Sequence, residues 1–376
     1  MSEPEPLTPS LRQAFRRDLT AWFRVHQRDL PWRHRRTPYR VWISELMLQQ
    51  TRVDQVIPYY QRFMKRFPRV QALAEAPRAD VLKMWEGLGY YSRAIRAQET
   101  ARHLVAQQGG RFPRTLDGLL ALPGIGPYTA AAVGSLALGL DAAVVDGNVI
   151  RVLARVMAYD GDTRRPAVRA RFQAWADELL PPGRAGEFNE SMMELGATVC
   201  TPRRPACATC PLRHPCQARV EGRAESYPAK GPKVTVPHKH VGAGLVVNAR
   251  RQLLIAQRHE ASMLGGLWEF PGGKQEPGET LPECIARELR EELGIEVEVG
   301  EACVTVRHAF SHFTMDLHAY WARIRRGRPR ALDCADCRWV SVGQLKDYAF
   351  GRADQKIMEA LAGQGWPGLA KPRAGS

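Results

Sequence analysis

Long apolar runs, export features and acidic residues are all scarce in this chain of 376 residues. The longest apolar run, around Ala130 to Leu140, falls far short of the ~20 residues that span a bilayer. The opening MSEPEPLTPS has neither the basic start nor the apolar stretch of a secretion signal. A soluble, cytoplasmic protein is the expectation. Asp and Glu number 39 against 54 Lys and Arg, a net charge of +15. The imbalance lies in the first part: residues 1–224 hold 33 basic and 21 acidic residues, residues 225–376 hold 21 and 18. A polyanion such as nucleic acid is the natural partner of that basic half. Disorder is excluded by a hydrophobic content of 44%, and the length fits two domains of ordinary size.

Cysteine is sparse and uneven. Four of the eight lie in the spacing Cys200-x6-Cys207-x2-Cys210-x5-Cys216. Without export, such a cluster points to metal rather than disulfides. Zinc favours paired C-x2-C knuckles, whereas one close pair with a wide arm on each side better suits an iron–sulfur cubane. Structural zinc is the alternative. The Cys334–Cys337 pair reads as free thiols. Arg203, Arg204 and Arg213 sit within the cluster loop and can offer charge to phosphate.

Residues 1–10 read as a loose tail. From 11 to 220 apolar residues return at three- and four-residue spacing, as in VWISELMLQQ, and prolines cut the pattern into short helices. Residues 221–240 carry three prolines, two glycines and several charges, and read as a linker. From 241 to 365, strand-like segments surround one clear helix, TLPECIARELREELG, so a compact α/β domain is expected.

Leu122-Pro-Gly124-Ile-Gly126-Pro-Tyr128 lies between two helical stretches. Two glycines before a helix expose backbone N–H groups that can hold a DNA phosphate; a plain helix–helix turn is the simpler reading. Asp146 follows in VDGNVIR, where it could equally be a helix N-cap. Hairpin, aspartate and four-cysteine loop, in this order, resemble the helix–hairpin–helix DNA glycosylases of the endonuclease III superfamily. Strand-cutting members carry a Schiff-base Lys at the seventh hairpin position. This chain has Tyr128 there, so the covalent route lacks its nucleophile and simple base removal is expected.

Further motifs narrow the resemblance: Leu30-Pro-Trp-Arg33, Trp42-Ile-Ser-Glu45-Leu-Met-Leu-Gln-Gln-Thr-Arg52, Gly87-Leu-Gly-Tyr-Tyr-Ser-Arg93 and Phe188-Asn-Glu190. Together they resemble the MutY adenine DNA glycosylases, over about residues 11–350. That resemblance implies an all-α glycosylase domain with one [4Fe-4S] cluster on Cys200, Cys207, Cys210 and Cys216, and a C-terminal α/β Nudix-like domain. It implies a nucleoid-associated enzyme that removes adenine opposite 8-oxoguanine or guanine in double-stranded DNA; with no sign of a dimer seam in the sequence, a monomer is expected. Glu45, on an apolar helix, would be the general acid, its pKa raised by burial. Asp146 would stabilise the sugar cation, Asn148 orient the site and Tyr128 line it. Trp32, Arg33 and Glu190 would form the adenine pocket. Gln50, Thr51, Leu88 and Tyr90 would probe the mispair and wedge the duplex, and Gly124 and Gly126 would hold the DNA backbone.

The C-terminal part is similar to the MutT-like module appended to MutY. There Phe310-Ser311-His312, preceded by His308, would contact the oxidised base. A complete Nudix box, Gly273-x5-Glu279-x7-Arg287-Glu288-Leu-x-Glu291-Glu292-x-Gly294, is also present, although appended MutY domains commonly have it eroded. It reads either as a scaffold helix, the favoured reading, or as a Mg²⁺ site for nucleotide hydrolysis. Three other functions stay open: a glycosylase–lyase for oxidised pyrimidines, disfavoured by Tyr128; a nucleotide pyrophosphohydrolase targeted to DNA; and a non-enzymatic iron–sulfur DNA-binding protein.

Overall fold

The computed structural model describes residues 7–229, 231, 235–310, 312–364 and 366. They form two compact units. The first draws on Met1–Glu75 and Arg96–Lys233, the second on Ala76–Ile95 and Val234–Ser376.

The first unit is helical, with no strand among its described residues. Its central helix, Pro38–Leu48, starts at a Thr37 cap with Pro38 in the first turn and buries eight of its 11 residues. A helix apolar on nearly every side belongs inside a bundle, and this one packs on Val53–Arg66 and Pro127–Leu138. Ala185–Thr198 packs on Pro127–Leu138 and on Gly147–Val156. Phe15, Leu19, Leu153, Phe172, Phe188 and Leu195 fill the core behind them. The Ala185–Thr198 and Gly147–Val156 helices approach so closely at Gly196 that a Cβ there would lie 2.6 Å from Asn148 Cβ. Two expected boundaries shift. The first helix already begins at Pro9, capped by Thr8, and Tyr227, in the expected linker, is buried in this core.

In the second unit β1 (His238–Val246), β2 (Leu253–Gln257), β3 (Trp268–Glu269), β4 (Glu296–Ala309), β5 (Thr314–Arg326) and β6 (Asp336–Val340) form two three-stranded sheets, ordered β1-β5-β4 and β3-β2-β6. β1 runs parallel to β5, and β4 antiparallel to it with register shifts near Val299–Val304. The second half of β1 and most of β2 are buried on both faces, whereas β4 buries only Val306. Leu245, Leu317 and Ala319 share a core with Phe350 and Ile357, while Val246 and Ala322 meet Ile285, Leu289 and Leu293 of the helix Leu281–Leu293. That helix has the full start and stop chemistry: a Thr280–Glu283 capping box and Gly294 in the left-handed conformation.

Residues 76–95 join this second unit through hydrogen bonds that their spacing does not announce. Lys83 Nζ donates to the Tyr348 carbonyl at 2.9 Å, and the Phe350 amide donates to Glu86 Oε1 at 2.9 Å. Tyr91 Oη donates to the Phe350 carbonyl at 3.0 Å.

Candidate active site

Two helix starts and one helix interior bring the expected catalytic residues to a single pocket in the first unit. Glu45 comes from the middle of Pro38–Leu48, Tyr128 from the first turn of Pro127–Leu138, and Asp146 from the N-cap of Gly147–Val156. Trp32, Arg33, Thr51, Asn148 and Glu190 line the same pocket.

Glu45 is 5% exposed. Burial pushes its carboxyl up to about 7; the Tyr128 hydroxyl, which donates to Oε2, draws it down, and the Asp146 and Glu190 charges push it up again. A carboxyl with such a value is protonated in a useful fraction near neutral pH and can deliver that proton. Asp146 does cap its helix: Oδ1 accepts from the Val149 amide at 2.7 Å, and Oδ2 from Asn148 Nδ2 at 2.8 Å. Burial raises its pKa above the ordinary aspartate value, against these bonds and the nearby Arg151. Cap and pocket wall are thus one residue. Two carboxyls in one pocket, one raised by burial toward neutral pH and one held by donors, form the pairing that acid-assisted glycosidic cleavage uses.

A charged network that the motifs named only in part, through Arg33 and Glu190, frames the other wall. Arg33 donates from Nε to Glu190 Oε1 at 3.2 Å and from Nη2 to Glu194 Oε2 at 2.9 Å. Arg28 grips Glu194 with Nε at 2.7 Å and Nη2 at 3.0 Å. Arg36 Nη2 lies 2.7 Å from Glu190 Oε2 as an ion pair without hydrogen-bond alignment, so that buried oxygen has acceptor capacity left. Burial raises Glu190 against the pull of Arg36 and Arg33. For Glu194 burial is outweighed by Arg28 and Arg33, and its pKa falls. Arg28, Arg36 and Glu194 were missed. The one available signal was Glu190 and Glu194 standing four apart, on one helix face. Asn189 was missed too: it accepts from the Val144 amide at 3.1 Å and donates to the Ala142 carbonyl at 2.8 Å, fixing the backbone that leads into Asp146.

The hairpin joins the helices Leu116–Leu120 and Pro127–Leu138. Gly124 has φ +76°, and a side chain there would be strained. Gly126 caps the second helix without any side-chain bond to its first turn, which leaves amides for an anion.

The four cysteines of the 200–216 loop line one cavity together with Arg155. Arg155, fully buried, donates to Cys200 Sγ at 3.2 Å and to the Thr201 carbonyl at 2.8 Å. Among the described residues no three of these sulfurs lie mutually within 4.8 Å. A cavity walled by four thiols is a donor set for a thiophilic metal group.

The remaining expected residues lie elsewhere. Gln50 is exposed, with φ +57°. Leu88 and Tyr90 belong to the second unit: Tyr90 is 45% exposed, but Leu88 is only 4% exposed, tucked into its own loop. At the β4–β5 turn the Phe310 amide donates to the Phe313 carbonyl at 2.8 Å, the Phe310 and Phe313 rings stack at 4.5 Å, and His308 meets Phe310 edge-on at 4.6 Å. His312 is exposed there. Ser311 lies outside the described residues. Of the Nudix-box glutamates, Glu279, Glu288 and Glu291 all accept from Arg287, at 2.8, 2.9 and 3.2 Å. Glu292 is pushed up to about 8 by burial and by the Glu269 and Glu288 charges.

Comparison with known proteins agrees with this division. A family profile described as "HhH-GPD superfamily base excision DNA repair protein" matches residues 43–178, and one described as "NUDIX domain" matches 242–360. A solved structure of a thermostable thymine-DNA glycosylase superposes with a TM-score of 0.51 at 31% identity, over 56% of this chain and 98% of that one. The adenine DNA glycosylase of Buchnera aphidicola (Acyrthosiphon pisum strain) is 33% identical, over 90% of this chain and 95% of the relative. The human adenine DNA glycosylase is 36% identical over 93% of this chain and 74% of its own length. Matched along nearly its whole length by these relatives, the chain belongs to the adenine DNA glycosylases, a base-excision repair family of N-glycosyl hydrolases.

Proposed function

We propose that this enzyme excises adenine mispaired with 8-oxoguanine or guanine, and that Glu45 and Asp146 carry the chemistry. The observation that carries this reading is the Glu45–Tyr128–Asp146 constellation inside a pocket rimmed by Trp32, Arg33 and Glu190. Adenine must leave the helical stack to enter, at a cost of a few kcal/mol. Trp32 supplies an apolar wall, and the spare acceptor capacity of Glu190 Oε2 suits the amine of the base. Glu45 gives its proton to a ring nitrogen, so the base leaves neutral. The sugar then carries positive charge, which Asp146 stabilises as a fixed carboxylate. Water completes the hydrolysis. Tyr128 offers no amine, so the backbone stays intact.

The 8-oxoguanine is read by the β4–β5 turn through Phe310, Ser311 and His312, with Gln50, Thr51, Leu88 and Tyr90 probing the mispair. Leu88 serves as a wedge once its loop opens on DNA. The Nudix helix acts as scaffold; the hold of Arg287 on Glu279, Glu288 and Glu291 supports that role.

Cys200, Cys207, Cys210 and Cys216 would hold one [4Fe-4S] cluster. When bound, such a cluster ties the four thiolates together and fixes the loop that carries Arg203, Arg204 and Arg213 toward phosphate. Cys207→Ser is expected to lose most of the iron, measured per chain in the purified protein, and most of its DNA affinity. Zinc-loaded, iron-free wild type with full activity would reverse the assignment.

The test of function uses duplexes carrying A opposite 8-oxoguanine, A opposite G, or A opposite T. Strand breaks are expected only after alkali, and only with the first two. Breaks without alkali would make this a lyase, and equal cutting of all three would remove the mispair reading.

A further inference from the structure

The sheet face beside the helix Leu281–Leu293 carries a polar cluster that base excision does not use. Ile285 packs over Gly242 and Gly244. Before that point β1 presents His238 and His240, on the same face as Thr314, Asp316 and His318 of β5 and Thr305 and Arg307 of β4. We infer that His238, His240, His318 and Asp316 form a binding site for one divalent transition-metal ion of the zinc class.

The ring nitrogens are already sorted for this task. His238 Nδ1 lies 2.8 Å from the Thr314 hydroxyl, and His318 Nδ1 lies 2.9 Å from the Thr305 hydroxyl. Each hydroxyl can accept that N–H, which leaves Nε2 with its lone pair, the arrangement by which an outer hydrogen bond orients a metal-binding imidazole. His238 Nε2 then stands 3.3 Å from Asp316 Oδ2, and His318 Nε2 stands 3.1 Å from His240 Nδ1. Two ligand atoms about 2.0–2.1 Å from a tetrahedral zinc are ~3.3 Å apart, so both pairs have the spacing of shared ligation. One ligand atom each from His238, His240 and Asp316 also fall mutually within 4.8 Å. The His238 and His240 rings are exposed and can rotate to close the remaining distance.

Asp316, 9% exposed, is oriented by Arg307, which donates to Oδ1 at 2.7 Å through Nε and to Oδ2 at 2.8 Å through Nη2. An ion at Oδ2 takes the place of Nη2, while Nε keeps Oδ1. Three imidazoles and one carboxylate select zinc, nickel or copper over magnesium or calcium. With His318 drawn in through His240, four ligands would complete a tetrahedron and make the site structural rather than catalytic. It would fasten the start of β1 to the start of β5, where the Thr314 amide already donates to the Pro237 carbonyl at 2.9 Å. That is the root of the turn carrying Phe310 and His312.

The test is equilibrium binding of Zn²⁺ to the full-length protein, read by competition with a chromogenic chelator, for wild type, His240→Ala and His318→Gln. Wild type is expected to bind one Zn²⁺ per chain more than either variant, or to bind it at least about tenfold more tightly. Zinc held elsewhere, at the cysteines or the box glutamates, is common to all three and cancels. A second measurement needs no variant: modification of His238 and His240 by diethylpyrocarbonate, read by peptide mass, should slow with Zn²⁺ and not with Mg²⁺. Equal zinc stoichiometry and affinity in wild type and His240→Ala, or modification indifferent to Zn²⁺, would overturn the site.

Discussion

Glu45→Gln should leave mispaired DNA bound and adenine in place. The amide keeps the size of the side chain and can still accept from Tyr128, so pocket and fold survive. It has no proton to give at neutral pH. General acid catalysis is worth roughly 10²–10⁴-fold, and protonation of the leaving base is the step that makes adenine a tolerable leaving group. Single-turnover excision should fall by at least that factor while the Kd for the mispair changes little. A variant within threefold of wild type would remove Glu45 from the chemistry. The pH profile carries the same claim. With Glu45 near 7, the active form is protonated, so excision should decline as pH rises through about 7. The Tyr128 hydroxyl stabilises the ionised carboxylate and thereby lowers its pKa. Tyr128→Phe should therefore move the alkaline limb to higher pH; an unmoved or lowered limb would contradict the contact.

Asp146→Asn separates two roles that the structure unites. Asparagine is as good an N-cap as aspartate, so the bond from the Val149 amide should persist and the melting temperature should shift by only a few degrees. The negative charge that the proposed mechanism sets against the sugar cation is gone. Losing one preorganised group opposite developing charge costs roughly 10²–10³ in rate. If Asp146 were only a helix cap, the variant would excise adenine at nearly the wild-type rate. Slow excision in a stably folded protein is the expected result, from single-turnover rates and melting curves on the same preparations.

How far the sequence revealed the site depends on what kind of signal each residue leaves. Glu45 stood out because a carboxylate inside VWISELML contradicts its apolar neighbours, and burial is what such a contradiction means in a folded chain. The hairpin glycines and the cysteine spacing are local patterns and were readable as such. Arg28 and Arg36 are different. Their carboxylate partners lie more than 150 residues away, and in a half with 33 basic residues one more arginine is no signal. Leu88 shows another limit: an apolar residue in a Gly-rich loop can be wedge or filler, and only packing shows that it is covered. The grouping of 76–95 with the second unit rests on Lys83, Glu86 and Tyr91 bonding to Tyr348 and Phe350, a pairing with no local pattern at all. The α/β nature of the second unit was legible, since strand-like segments flank one strongly helical run, TLPECIARELREELG.

The arginine–glutamate frame has a consequence for ionic strength. Around the pocket stand the cations Arg28, Arg33 and Arg36 and the anions Glu190, Glu194 and Asp146, while Glu45 holds its proton. The enclosure is electrically even, and the proton passing from Glu45 to adenine moves within it without changing the total. The buried members of this frame, Arg33, Glu190 and Glu194, are little screened by added salt. The phosphate-facing surface obeys another law, because each neutralised phosphate releases a counterion and weakens binding as salt rises. Salt should therefore govern how often this enzyme sits on DNA and have little say in how fast a bound adenine is cut, so the two halves of its work respond separately to the ionic conditions of the cell.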